Sequence, residues 1–151
     1  MKKKAQVGAA AVEFALIFSI FLVLVFAIVE FGAILFNKAV ITNASREAAR
    51  AGVVLRTPKL TTGEVENIAR RYCGQAAGAG PGGWGAPANL IGFSTANVFD
   101  VTVTGAGATG SFGTPLEVTV EYRYNWLVLG PLIGAVAGPM NLIATTVMNN
   151  D

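Results

Sequence analysis

Four sets of residues in this 151-residue chain are of a type and spacing that could do chemistry. Asp100, Glu117 and Glu121 are the nearest thing to paired carboxylates, the groups that run acid–base hydrolysis. Gly78, Gly80 and Gly83 fit G-x-G-x-x-G, as do Gly105, Gly107 and Gly110. That spacing holds a dinucleotide pyrophosphate when a helix follows it. Cys73 is the single cysteine. Glu13 and Glu30 are carboxylates set at the edge of, and within, apolar sequence, where a charge is expensive and calls for a partner.

Context weakens the first three. Asp100, Glu117 and Glu121 fall on the polar side of alternating segments, so a solvated strand face is their expected place. After Gly110 comes SFGTPLEVTVEY, another strand, and after Gly83 comes more loop with Pro87. Neither glycine run supplies the helix N-terminus that the pyrophosphate needs, so no cofactor is expected. The chain has no histidine, which removes Ser-His-Asp and Cys-His chemistry and the commonest metal ligand. One cysteine permits no intramolecular disulfide and no cysteine-built zinc site, so no metal is expected either. Cys73 is then buried and inert or pairs between chains. Tyr72 and Ala76 offer it no activating environment, which favours the inert reading. No enzyme activity is expected.

The elements that would position these residues follow from composition and period. The chain is 53% hydrophobic and 13% charged, against roughly 25% charged in soluble domains. The apolar excess lies in the first third. Net charge is +2, and without Lys2, Lys3 and Lys4 it falls to −1, so no basic face suggests nucleic acid. FALIFSIFLVLVFAIVEFGAILF (14–36) carries one charge, Glu30. As a helix it spans about 35 Å, enough for the hydrocarbon core and too long for a cleaved signal peptide. The preceding lysines place the N-terminus in the cytoplasm. Proline-free, alanine-rich sequence continues the helix, with Ala44, Ala48 and Ala51 on one stripe that permits close packing, until Pro58 stops it. Arg46, Glu47 and Arg50 read as a solvated helix face.

Thr61 and Glu64 have capping-box spacing, which predicts a short helix over 62–73. Residues 74–89 are a Gly/Pro loop. Strict alternation predicts strands at 97–104 and 115–126, and a third at 141–148. The fold class is therefore α+β: a long N-terminal membrane-spanning helix running into a small antiparallel sheet domain with one short extra helix. Residues 126–148, uncharged and 23 long, are also long enough for a second span; Pro131, Pro139 and three glycines argue against it. Glu30 keeps two readings, an intramembrane contact or a carboxylate near the interface that reaches water.

Gly8, four small or apolar residues and then Glu13-Phe14 opening a long apolar helix resemble the prepilin-peptidase site of type IV pilins and pseudopilins. GAAAVEFALIF, IVEFGAILF and AVITNASREAARAG together are similar to the TadE-like minor pilins of the tight-adherence (Tad/Flp) pilus system. LEVTVEYRYNW, LVLGPLIGAVAGP and LIATTVM follow that family's closing order, although Asn149, Asn150 and Asp151 stand where a basic residue is usual. The resemblance implies a pilin-like fold and cleavage between Gly8 and Ala9, which removes a basic leader (1–8). It leaves a helix over 9–56, of which 14–36 is transmembrane, and an extracytoplasmic domain over 57–151. Glu13 would compensate the new Ala9 amine. The implied partners are prepilin peptidase, the major Flp-type pilin, other minor pilins, the inner-membrane assembly platform and the lipid bilayer. The implied location is the bacterial inner membrane, single-pass, with the domain periplasmic, and the extracellular pilus after assembly. The alternative is an uncleaved single-pass scaffold of the same machine.

Overall fold

The computed structural model describes residues 3–54, 57–75, 83–84, 88–92, 98–105, 110–126, 129–130 and 138–150. Helix α1 covers Lys3–Val53, α2 Thr62–Tyr72, β1 Gly83–Trp84, β2 Val98–Thr104, β3 Pro115–Tyr124 and β4 Met140–Asn149. The four strands form one antiparallel sheet in sequence order. The α+β architecture expected from period is the one observed. Two details differ. The segment expected to be pure loop contains β1, which pairs with the start of β2. Met140–Asn149 is a strand hydrogen-bonded to β3, so a membrane helix over 126–148 is ruled out at that end. Residues 127–128 and 131–137 lie outside the described residues.

Helix α1 is 51 residues long, about 77 Å, and no proline interrupts it. Only its C-terminal half packs. Glu30, Ile34, Asn37, Ile41, Ala44, Ala48 and Gly52 are all buried, at spacings of four, three, four, three, four and four. That is one stripe of a 3.6-residue period, and it faces β3 and β4. Ala51, expected on the stripe, is half-buried at its edge.

Side-chain size is graded along the stripe. Where α2 and the start of β3 press closest, it is Ala44, Ala48 and Gly52. A Cβ on Gly52 would collide with Leu116 Cδ2 and lie 3.0 Å from Val65 Cγ2. The sheet supplies the matching face through Leu116, Val118, Val120, Tyr122 and Tyr124, all fully buried. Glu117 and Arg123 point the other way, into solvent.

Helix α2 starts as its sequence dictates. Thr61 N donates to Glu64 Oε2 (2.8 Å) and Glu64 N donates to Thr61 Oγ1 (3.3 Å), a closed capping box. Val65, Ala69 and Cys73 bury against α1 and β2. Strand β2 gives way after Thr104 to Gly105, whose φ of +84° suits glycine.

Candidate assembly helix and its junction with the domain

From Gly8 to Val29 the side chains of α1 are exposed or at most half-buried, and the domain leaves this segment uncovered. These 22 residues extend about 33 Å, close to the thickness of a hydrocarbon core. Val12, Phe14, Leu16, Ile17 and Ile20 are among the apolar side chains left bare. Phe14, Phe18 and Phe21 stack in succession, with centroids 5.5 and 6.5 Å apart. The hydroxyl of Ser19 donates to Ala15 O at 2.8 Å and so needs no water in an apolar setting. Among the described residues this is the one helix long and apolar enough to cross a membrane.

Gly8, Ala9, Glu13 and Phe14 all lie on this bare segment and all are exposed. Ala9 and Glu13 are one helical turn apart and share a face. No other element of the described chain is brought to them.

Glu30 stands at the junction. It is 2% exposed, against 56% for its neighbour Val29. The hydroxyl of Tyr124 donates to Glu30 Oε1 at 2.6 Å, and Leu129 N lies 3.5 Å from Glu30 Oε2. The carboxylate therefore turns inward to the sheet rather than outward to water. Burial, and then the adjacent Glu30 carboxylate, push the Tyr124 hydroxyl well above the usual phenol range, which keeps it a donor.

Asn37 continues up the stripe, and Ser45 is buried beside it next to Ala44. Asn37 donates from Nδ2 to Ile91 O (2.8 Å) and accepts from Ile91 N at Oδ1 (2.7 Å), while Tyr122 also donates to Ile91 O (3.1 Å). The Ser45 and Thr146 hydroxyls bond at 2.8 Å. Glu30, Asn37 and Ser45 are thus each paired, which avoids a desolvation cost of about 1–3 kcal/mol apiece. They fix the axial register of helix against sheet in a way that apolar contact alone does not. Sequence reasoning missed Asn37 and Ser45. The signal was present, because Asn37 falls seven residues after Glu30 and seven before Ala44.

The remaining sequence candidates separate. Asp100 is not simply solvated. It pairs with the buried Arg70 at 3.2 Å, and the Arg70 guanidinium lies 6.0 Å over the Phe99 ring. Glu121 faces Asp100 across the strands, and Glu117 lies exposed farther along. Among the described residues no group of three metal-ligating side chains comes together. Gly105 leads towards β3 rather than a helix, and Gly78, Gly80 and Gly107 lie outside the described residues. Burial pushes the Cys73 thiol up to about 12, and a thiol enclosed this way does not pair between chains.

A long helix, bare over its first half and striped over its second, is also what the comparison with known families detects. Residues 8–50 match the family described as TadE-like protein. The chain carries a TadE-like helix. The match starts at Gly8 and ends at Arg50, so it takes in the bare segment, Glu30 and the stripe as far as Ala48. The sheet that covers the TadE-like stripe lies outside it. No curated protein and no solved structure matches the chain.

Proposed function

We propose that the chain is a minor pilin or pseudopilin of a Tad-type pilus, cut by prepilin peptidase between Gly8 and Ala9. The observation that carries this reading is the uncovered segment from Gly8 to Val29. A folded domain that leaves 22 residues of largely apolar helix bare has prepared them first for lipid and then for other helices. The basic leader and domain then lie on opposite sides of the inner membrane, the leader cytoplasmic and the domain periplasmic.

In this reading Gly8, Ala9, Glu13 and Phe14 are a protease substrate and a packing surface. Cleavage creates an ammonium group on Ala9, and Glu13 supplies the counter-charge. In a fibre, where the helices have left lipid for one another, the pair is enclosed between neighbouring subunits. Removing one partner of a buried pair costs about 3–5 kcal/mol, enough to select the correct register during assembly. The role is structural, and no catalysis is assigned.

The mass of the protein taken from its native membrane tests the proposal. Loss of residues 1–8 supports it. An intact Lys2–Lys4 leader rejects it and favours the uncleaved scaffold instead, and a cut beyond residue 30 rejects it as well.

A further inference from the structure

Strand β3 runs antiparallel to α1, with Leu116 beside Gly52 and Tyr124 on Glu30. The end of the sheet at Tyr124, with its β4 partner Met140, is therefore the end nearest the bare helix. Trp126 lies edge-on to Tyr124 at 6.4 Å, and its Nε1 donates to Gly138 O at 2.8 Å. Beside it, between α1 and β4, is an open groove of about 430 Å³ lined by Phe31, Leu35, Met140 and Ile143, with Lys38 on its rim. Phe31 and Leu35 are 58% and 66% exposed. No charged residue occurs between Arg123 and Asp151, and Lys38 is the only cation between Lys4 and Arg46.

The depth of this rim follows from the helix. A hydrocarbon core takes about 20 helical residues, which the uncovered segment from Gly8 to Val29 supplies, so the span sits about two turns nearer the N-terminus than the apolar run 14–36 alone suggests. The next two turns, Phe31 to Lys38, then lie in the interfacial layer, with Met140 level with their start and Trp126 just past the end of β3 on the side of the bare helix. An indole is at home at that depth. A lysine there buries its stem and sends its ammonium to the headgroups. Lys38 Nζ donates to Ile143 O, and an ammonium has three donors, so two remain for lipid phosphate.

We infer that this rim is a second membrane contact. Trp126, Met140, Phe31, Leu35 and Ile143 rest on the leaflet from which α1 emerges, with Lys38 on its phosphates, so the domain lies against the bilayer and not clear of it. Lipid is the occupant because the groove is continuous with the bare helix that lipid already covers. The inference rests on α1 as a membrane anchor and on no processing step.

The full chain carrying W84F, so that Trp126 is the sole tryptophan, is placed in nanodiscs of phosphatidylethanolamine and phosphatidylglycerol. Co-elution with the discs reports the anchor separately. The rim is read by exchanging the lipid for one brominated high on the acyl chains. The expected result is loss of Trp126 emission in brominated discs, with weak quenching by aqueous acrylamide. M140E, at an exposed position, should still co-elute and should recover emission. Embedded protein whose Trp126 emission ignores brominated lipid but falls with acrylamide overturns the inference. So does M140E with undiminished bromine quenching, or a loss seen only in discs that hold two copies, which would make a second chain the occupant.

Discussion

The Tyr124 hydroxyl reaches Glu30 across 2.6 Å at the residue where the buried stripe of α1 begins. One hydrogen bond thus marks the boundary between the part of the helix that serves the membrane and the part that serves the domain. Tyr124→Phe leaves the buried carboxylate without that donor, and the expected loss of stability is about 1.5–3 kcal/mol. Glu30→Gln keeps an acceptor and should lose less. Chemical unfolding of the full chain in detergent measures both, and equal losses would argue that Glu30 acts by packing alone.

Glu13 makes a different kind of prediction, because nothing in the described domain touches it. Glu13→Ala should leave the fold and its unfolding midpoint unchanged. It should still be processed after Gly8, yet enter pili poorly. Immunoblots of sheared pili against membranes would show this, and normal incorporation would remove the charge-compensation role.

Gly52 is where small size decides the packing. Gly52→Val drives two methyl groups towards Leu116 and Val65, whose atoms leave no room even for a single Cβ. Overpacking of this kind costs about 1–3 kcal/mol. Gly32, on the exposed side of the same helix with no atom within 4 Å of a Cβ, should tolerate alanine with no loss. If Gly52→Val unfolds no more easily than Gly32→Ala, the helix does not press on Leu116 and Val65 as closely as this geometry requires.

Alkaline pH should destabilise the domain progressively, through Cys73, Tyr122 and Tyr124, whose hydroxyl is also raised by burial. Burial raises Cys73 from 9.0 to about 12 and Tyr122 from 10.0 to about 12. Both groups stay protonated in the folded chain while the unfolded chain ionises. Stability is therefore full below about pH 9 and falls as pH rises towards 12, first through Cys73 and then through Tyr122 and Tyr124. Cys73→Ala, compared with its own value at neutral pH, should flatten the decline that begins near 9. An unchanged pH profile in that variant would place the cause elsewhere.

Much of this molecule was legible because its signals are local. The Thr61–Glu64 box, the alternation through 115–124 and the long apolar run each act within a few residues. Neighbouring residues alone set the period and the cap. The stripe on α1 was half legible. Its alanines stood out, whereas Glu30 and Asn37 in the same register looked like interruptions.

Glu13 and Glu30 divide the two kinds of information. Composition and hydropathy are enough to set both carboxylates against apolar residues and to put a helix under them. Their different surroundings come from the packed fold and could not be read along the chain. Tyr124 lies 94 residues from Glu30, and it reaches the helix because β3 runs back along α1 from Gly52. Register between distant segments depends on the sum of many contacts, and no single stretch of chain contains it. Glu30 is enclosed by that sum, and Glu13, beyond the end of the sheet, is left for a partner outside the fold.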